Sequence, residues 1–167
     1  LPVDESHPDV PITVYDLHKC IAEDYLKYAN EQGWLKGTCL RLANVYGPGG
    51  TSKSNDRGVI NRMIKNALEG KPLTVYGSGE FLRDYVFIDD VVSALLLALE
   101  HMDDLRGRHW MIGSGRSLPI RQAFEMIAER TAALCARIVP VHTQEAPKEL
   151  LSLEKRQFVT KITAFVA

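Results

Sequence analysis

The stretch Thr38-Cys39-Leu40-Arg41-Leu42-Ala43-Asn44-Val45-Tyr46 decides the fold prediction, because strand-forming residues run here up to an abrupt end at Gly47-Pro48-Gly49-Gly50. Such a run before glycine and proline predicts a β-strand that stops at a turn. Just upstream, apolar residues recur at helical spacing from Thr13 to about Gln32, with Thr13 as the cap and Gly33 as the end. We therefore expect a helix followed by a strand.

The rest of the chain continues this alternation. The patterns predict further helices at residues 59–68 and 91–102, and one that is opened by Pro119. They predict short strands at residues 73–76, 85–88, 110–112 and 138–141. Helices that alternate with strands are typical of an α/β fold, and we find no repeat or linker that would divide the chain.

Prolines and carboxylates refine this prediction. Pro140 places the strand at 138–141 on a sheet edge, because proline has no N–H to donate. Asp89 and Asp90 lie where carboxylates stabilise a helix N-terminus, so we interpret them as capping residues. Residues 1–12 contain three prolines among acidic residues, which favours an extended surface segment, while residues 150–167 give no clear pattern.

The composition is that of an ordinary globular domain, with 167 residues, 46% hydrophobic, 25% charged, and 20 basic against 21 acidic side chains. This excludes a disordered chain, and the lack of a basic excess argues against general nucleic-acid binding. The longest apolar run, residues 94–99, is far shorter than the ~20 residues of a membrane span, and no secretory signal is visible. We expect neither a membrane nor a nucleic-acid partner.

Cysteine and histidine usage bears on the compartment and on metals. The three cysteines, Cys20, Cys39 and Cys135, are an odd number at wide spacing, which is typical of reduced core thiols in the cytoplasm. The five histidines show no metal-ligand spacing with one another or with the cysteines. A cytoplasmic protein without a metal site is the expectation.

Tyr15 and Lys19 stand four residues apart on the first predicted helix, so their side chains share one face. An ammonium beside a tyrosine favours the phenolate, which can take a proton from an alcohol. Such a pair is weak evidence alone, because about 0.3 tyrosine–lysine pairs at this spacing are expected by chance.

Five motifs in succession give the pair more weight. The sequence resembles the extended short-chain dehydrogenase/reductase family, in particular its nucleotide-sugar epimerases and dehydratases, over about residues 1–130. The motifs are the acidic, proline-rich segment from Leu1 to Pro11; Tyr15-Asp16-Leu17-His18-Lys19 with Glu23; Leu40-Arg41-Leu42-Ala43-Asn44-Val45-Tyr46-Gly47-Pro48-Gly49; Leu73-Thr74-Val75-Tyr76-Gly77-Ser78-Gly79; and Arg83-Asp84-Tyr85-Val86-Phe87-Ile88-Asp89-Asp90-Val91.

The resemblance implies a fold and a reaction. The fold would be a partial Rossmann-like parallel sheet with flanking helices, ending near residue 50, and a small α/β substrate-binding region over most of residues 51–167. In the YxxxK motif, Tyr15 would remove a proton from a sugar hydroxyl while hydride passes to NAD. Lys19 would bond the nicotinamide ribose and favour the tyrosinate. Tyr15 and Lys19 are thus the expected catalytic and cofactor-binding residues.

The resemblance also implies four substrate-binding residues, each with a simpler interpretation. Asn44 would contact the substrate diphosphate, or it is a turn-forming asparagine. Arg83 would clamp the diphosphate, or it pairs with Asp84 on the surface. Tyr76 would lie along the base, or it packs in the core. Arg156 would be a second diphosphate ligand, or it is a solvated helix charge.

A nicotinamide enzyme of this kind needs a glycine-rich turn between a strand and a helix, where backbone N–H groups bind pyrophosphate. No G-x-G-x-x-G occurs here, since the third position after Gly77-x-Gly79 and Gly113-x-Gly115 is Leu82 and Leu118, respectively. The resemblance places that turn upstream of Leu1, together with a catalytic Ser or Thr. We therefore interpret the chain as roughly the C-terminal half of a family member, and expect the uncovered apolar surface and sheet edge to favour a homodimer or larger assembly.

The expected function is NAD-dependent epimerisation or dehydration of a nucleotide-sugar through transient oxidation of a sugar hydroxyl, the work of an isomerase or a lyase. We prefer epimerisation to dehydration. The resemblance implies that the dehydratases use additional acid/base carboxylates, which would lie upstream of Leu1. One alternative is a non-catalytic module that binds a nucleotide-sugar or another subunit. Another is a reductase of a ketone other than a sugar, for which Arg83 would have little use.

Overall fold

The computed structural model describes residues 4–48, 58–136 and 138–145, and the backbone of residues 162–166. The helices are α1 (Val14–Glu31), α2 (Val59–Leu68), α3 (Ile88–Glu100), α4 (Met102–Leu105) and α5 (Ile120–Cys135). The strands are β1 (Thr38–Leu42), β2 (Asn44–Tyr46), β3 (Leu73–Tyr76), β4 (Leu82–Phe87), β5 (His109–Ile112), β6 (Ser117–Pro119), β7 (Val141–Gln144) and β8 (Ile162–Val166). The predicted α/β fold is confirmed.

The chain divides into two units. The first contains the described residues of Leu1–Val45, Val86–Ser114 and Thr160–Ala167, and the second those of Tyr46–Tyr85 and Gly115–Val159. The prediction assigned most of residues 51–167 to one region and no division into two cores. The structure differs because β5 pairs in parallel with β1, which brings residues 86–114 into the first unit.

The sheet of the first unit has the strand order β5-β1-β8. Cys39 of β1 lies opposite His109 of β5 in the parallel pair, and opposite Phe165 of β8 in the antiparallel pair. β1 is the central strand of this sheet, and all five of its residues are buried.

The two faces of this sheet differ. Leu40 and Leu42 join the buried apolar cluster that contains Val91 and Ala98 of α3. Because neighbouring side chains of a strand point to opposite faces, Arg41 lies on the other face, where its guanidinium contacts Glu23 of α1. The sheet is therefore covered by α3 on an apolar face and by α1 on a charged one.

Helix α1 begins and ends as its sequence predicts. Thr13 is the N-cap of a capping box, in which Thr13 Oγ1 accepts from Asp16 N (3.1 Å) and Asp16 Oδ2 accepts from Thr13 N (3.0 Å). At the other end Gly33 has φ +71°, and Trp34 N donates to Ala29 O (3.0 Å). This is a Schellman ending, which needs a residue that tolerates positive φ.

The second unit has its own core between α2, α5 and the parallel pair β3–β7. Its buried apolar residues are Ile60, Met63, Ala67, Leu73, Val75, Ala123, Phe124, Ala128 and Val139. Strand β4 pairs antiparallel with β6, so that Leu82 lies opposite Pro119. Strand β4 is the central strand of a sheet with the order β2-β4-β6. The boundary between the two units falls within β2 and again within β4.

Several boundaries differ from the predictions for local reasons. The strand expected over residues 38–46 is interrupted at Ala43, whose N–H donates to Ile112 O (2.8 Å), and continues as β2. The strand expected at 138–141 begins only at Val141, because Pro140 contributes its carbonyl alone, to Leu73 N (2.9 Å). Asp89 and Asp90 lie in the first turn of α3, where their charges favour the helix N-terminus, but neither is the N-cap residue, which is Phe87, and no side chain makes a capping hydrogen bond there.

The three cysteines are free thiols, but only Cys39 is buried, while Cys20 is half-buried and Cys135 exposed. The prediction of core thiols is therefore right for Cys39 and wrong for Cys135, which lies in the last turn of α5. In the part of the chain that the structure describes, no helix is long and apolar enough to cross a membrane.

Candidate active site

The structure brings the predicted acid/base pair together on α1. Lys19 Nζ lies 5.6 Å from the centroid of the Tyr15 ring, which is the geometry of a cation–π contact. The Tyr15 side chain is 36% exposed, so its phenol is open to the surroundings of the helix. The pair can therefore meet a substrate while the ammonium remains next to the phenol.

A buried arginine fastens this helix to the sheet. Arg41 Nε donates to Glu23 Oε2 (2.8 Å) and Arg41 Nη2 to Glu23 Oε1 (2.7 Å). The same guanidinium reaches Asp9, with Nη1 to Oδ1 at 3.2 Å and Nη2 to Oδ2 at 2.7 Å. Arg41 and Glu23 are only 2% and 3% exposed, so this ion pair is buried. The Arg41 guanidinium thus joins β1, α1 and the segment that precedes α1.

Glu23 has two further partners, Lys27 Nζ and His109 Nδ1, each 2.9 Å from Oε1. Burial by itself favours the protonated form of Glu23, but hydrogen bonds from Arg41 and Lys27 outweigh burial and hold its pKa below the ordinary value of 4.5. Nearby, burial and then the Glu23 charge raise the pKa of the Cys39 thiol to about 12, which keeps it neutral. Glu23 is the ionised centre of this cluster.

The role of Arg41 is not evident from the motifs, which contain Arg41 and Glu23 but do not indicate that the two side chains pair. A usable signal existed, because an arginine between two leucines in a buried strand needs a carboxylate partner. Glu23 was the available acid, since it stands on the Tyr15–Lys19 face of the helix at steps of four residues.

The predicted substrate-binding residues lie in both units. Asn44 is the half-buried first residue of β2, just after the carboxyl end of β1, where α/β sheets bind ligands. Tyr76 ends β3 and is 47% exposed, which excludes the interpretation as a core residue. Arg83 in β4 is half-buried, and its Nη1 donates to the carbonyl of Leu82 (2.9 Å). Arg156 lies outside the described residues.

The strand around Arg83 holds two further polar groups. Asp84 Oδ2 accepts from Gly115 N (3.1 Å), so this carboxylate is engaged with the backbone of the next turn. The Tyr85 hydroxyl is buried and has no hydrogen-bond partner within the described ranges. Burial raises the pKa of Tyr85, while the charge of Arg83 opposes that shift. A buried hydroxyl without a partner weakens the fold, and a ligand group could satisfy it.

The described residues fit one end of NAD and not the other. Lys19 and Tyr15 offer a cation and a phenol, groups that suit ribose hydroxyls. Gly77-x-Gly79 and Gly113-x-Gly115 do not suit the pyrophosphate, because each follows a strand and leads to another strand. A Cβ at Gly79 would lie 2.5 Å from Val75 Cγ1 and 2.9 Å from Arg121 Cβ, so protein atoms already fill that turn. Among the described side chains no group of three or more His, Cys, Asp or Glu could hold a metal ion.

The chain is similar to known proteins of one family. The sequence profile of the NAD dependent epimerase/dehydratase family matches residues 2–113. A putative UDP-glucose 4-epimerase of Methanocaldococcus jannaschii is 34% identical over 127 residues, which are 76% of this chain and 40% of that protein.

Two solved structures are also similar. A UDP-glucose 4-epimerase of Thermotoga maritima with UDP-glucose is 37% identical, with a TM-score of 0.69, over 83% of this chain and 42% of that one. A UDP-glucose 4-epimerase of Thermus thermophilus in complex with NAD is 26% identical, with a TM-score of 0.70, over 94% and 53%. The chain thus spans about half the length of these relatives or less. It belongs to the NAD dependent epimerase/dehydratase family.

Proposed function

We propose that this chain supplies the acid/base pair for NAD-dependent epimerisation or dehydration of a nucleotide-sugar. The observation that carries the proposal is the Lys19 ammonium 5.6 Å from the ring of a solvent-accessible tyrosine, Tyr15. A phenol needs such a cation to act as a base near neutral pH. Membership of the family makes a sugar hydroxyl the fitting source of the proton.

In this proposal Tyr15 takes the hydroxyl proton and later returns it. Lys19 favours the phenolate and bonds the nicotinamide ribose. Bound NAD would supply a reversible acceptor for the hydride of the carbon that bears the hydroxyl. Asn44 and Arg83 hold the diphosphate, work that suits an amide and a planar guanidinium fork. Tyr76 lies along the base, and Arg156 is a second diphosphate ligand.

Epimerisation of a UDP-hexose is the first activity to test. The three relatives described above are named as UDP-glucose 4-epimerases, and two of them were solved with UDP-glucose and with NAD, respectively. Epimerisation also asks for fewer side chains than dehydration, because it needs no separate acid/base carboxylate. UDP-glucose and NAD are therefore the probes of choice.

A second function is a module that binds a nucleotide-sugar without turning it over. Its support is that Gly77-x-Gly79 and Gly113-x-Gly115 each lead from one strand to another and not into a helix, so neither pair suits the pyrophosphate of NAD. Calorimetry of the 167-residue chain with UDP-glucose and with NAD separates the two functions. Binding of UDP-glucose without NAD favours the module, whereas conversion of UDP-glucose to UDP-galactose by the chain itself rejects it.

The role of Tyr15 is tested with two matched variants. Tyr15→Phe removes the phenol and should abolish turnover but leave the affinity for UDP-glucose unchanged. Tyr25→Phe is the control, because Tyr25 is a second exposed tyrosine of α1, ten residues further along. Turnover retained in Tyr15→Phe would overturn the role of Tyr15.

We also propose that the chain assembles with a second copy in the cytoplasm. Five large side chains along α1 are exposed at helical spacing and form an apolar stripe, which favours association. They are Val14, Leu17, Ile21, Tyr25 and Tyr28. A monomer in sedimentation at micromolar concentration would contradict a homodimer, and Ile21→Lys should weaken a dimer that forms.

A further inference from the structure

The turn that follows β2 is held by one side chain of α2. Gly47 N donates to Asn61 Oδ1 (3.2 Å), and Asn61 Nδ2 donates to the carbonyl oxygen of Gly47 (3.0 Å). One carboxamide thus binds both backbone polar groups of the same residue. A carboxamide suits this task because it carries an acceptor and a donor side by side on one planar group. We call this pair of hydrogen bonds the Gly47 clamp.

Asn61 lies on a part of α2 that is firmly packed. It stands in the first turn of the helix, between Ile60 and Met63, which are buried in the core of the second unit. The N-cap residue of α2 is Gly58, and no side-chain capping hydrogen bond is made there. Asparagine favours a helix less than leucine or alanine does, so helix stability does not explain this residue. The clamp does explain it.

The clamp closes the short segment that carries Asn44. At the start of the segment Ala43 N donates to Ile112 O (2.8 Å), and at its end Gly47 is bound to Asn61. Only the three residues of β2 stand between these two anchors. Because each residue has just two soft backbone dihedrals, fixing both ends of so short a segment restricts the backbone of Asn44.

We propose that Asn61 is a positioning residue for binding of the substrate diphosphate. Through the Gly47 clamp it fixes the backbone of β2, and with it the Asn44 carboxamide, before the diphosphate arrives. A binding group that is already ordered loses less conformational entropy when its ligand binds, so the affinity is higher. The positioning role rests on the proposed function, in which Asn44 contacts the diphosphate, whereas the clamp itself does not.

Amide hydrogen exchange of the 167-residue chain tests the clamp. Asn61→Leu keeps a side chain that branches at Cγ and favours the helix, but leucine can neither accept nor donate a hydrogen bond. Asn66→Leu is the matched control, because Asn66 is also a half-buried asparagine of α2, five residues further along. We expect protection of the Gly47 N–H to fall about tenfold in Asn61→Leu and to stay unchanged in Asn66→Leu. An unprotected Gly47 N–H in the unsubstituted chain, or equal protection in Asn61→Leu, would overturn the proposal.

Calorimetry with UDP tests the positioning role, because UDP carries the diphosphate without the sugar. Asn61→Leu should bind UDP about tenfold more weakly than the unsubstituted chain does, and Asn66→Leu should bind it equally well. The same UDP affinity in Asn61→Leu as in the unsubstituted chain would contradict the positioning role.

A double-mutant cycle separates positioning from a general loss of structure. If Asn61 acts through Asn44, the tenfold effect of Asn61→Leu on UDP affinity should shrink to less than about twofold when Asn44 is already replaced in Asn44→Ala. A general loss of structure would weaken UDP binding by the same factor in both backgrounds. That result would overturn the positioning role.

Failure of the positioning role is distinguishable from failure of the proposed function. If the unsubstituted chain does not bind UDP, the proposed function fails and the positioning role fails with it, while exchange of the Gly47 N–H still reports on the clamp. If the unsubstituted chain binds UDP and the cycle shows no coupling between Asn61 and Asn44, only the positioning role fails.

Discussion

The two faces of the β5-β1-β8 sheet are covered by helices that are held in different ways. On one face α3 buries Val91 and Ala98 against Leu40 and Leu42. On the other face Glu23 is the single buried residue of α1, and it is bound by Arg41. Apolar burial stabilises without fixing a direction, whereas an arginine–carboxylate fork holds its partners in one geometry. The face with the candidate catalytic residues is therefore the one held by directional bonds.

We expect the largest loss of stability when one partner of the buried ion pair on the charged face is removed. Arg41→Met leaves Glu23 buried without its main partner, and should lower the free energy of unfolding by about 3–5 kcal/mol. Denaturant unfolding at neutral pH measures this loss. Glu23→Met/Arg41→Met replaces both partners by apolar groups and should recover part of it. A double variant as unstable as Arg41→Met would show that the pair itself, and not the unpaired charge, provides the stability.

A cut on the apolar face should have a somewhat smaller effect. Leu40 is 2% exposed, so Leu40→Ala leaves a cavity between β1 and α3 and should cost about 3 kcal/mol. Because no charge is involved, the difference in unfolding free energy between Leu40→Ala and the unsubstituted chain should be the same at pH 4 and pH 7. A loss that changes with pH would mean that the two faces are coupled.

Acid should weaken the charged face selectively. The pKa of Glu23 is held below 4.5, so the unfolded chain binds more protons than the folded one and stability falls as the pH drops below about 4.5. Glu23→Gln should flatten this part of the stability–pH curve. Glu69→Gln, at an exposed glutamate bound to Lys71, should change it little. An unchanged curve in Glu23→Gln would mean that the buried pair does not drive acid sensitivity.

The smallest effect is expected at an exposed ion pair of the same unit. Lys36 Nζ lies 2.6 Å from Asp103 Oδ1, but both side chains are more than half exposed. Water and salt screen such pairs, so Lys36→Met should not measurably change the unfolding midpoint. A loss comparable to that in Arg41→Met would remove the distinction between buried and exposed pairs in this chain.

The order of elements was predictable because local patterns specify it. Thr13 and Gly33 bound α1 through a capping box and a Schellman ending, both of which depend on neighbouring residues alone. The orientation of α1 was not predictable in the same way. Its apolar periodicity identifies a helix but not the neighbour that the apolar side faces, and Ile21 and Tyr25 are in fact exposed.

The candidate site was predictable in part for a similar reason. Tyr15 and Lys19 meet because they lie one turn apart on one helix, which a sequence pattern can express. Arg41, Asp9 and His109 come from three separate segments: the pairing of β5 with β1 places His109 in the same sheet as Arg41, and the hydrogen bonds of the Arg41 guanidinium bring in Asp9. Contacts between distant segments leave no spacing to recognise in a single sequence.

Strand β8 has a consequence for how this sheet can grow. Each strand has two sides along which backbone groups can bond, and β1 uses one for β5 and the other for β8. A further strand can therefore pair only with the outer edge of β5 or β8, or it must displace one of these two strands. A strand that paired directly with β1 would replace β5 or β8. One set of backbone hydrogen bonds would then be lost for the set that is formed.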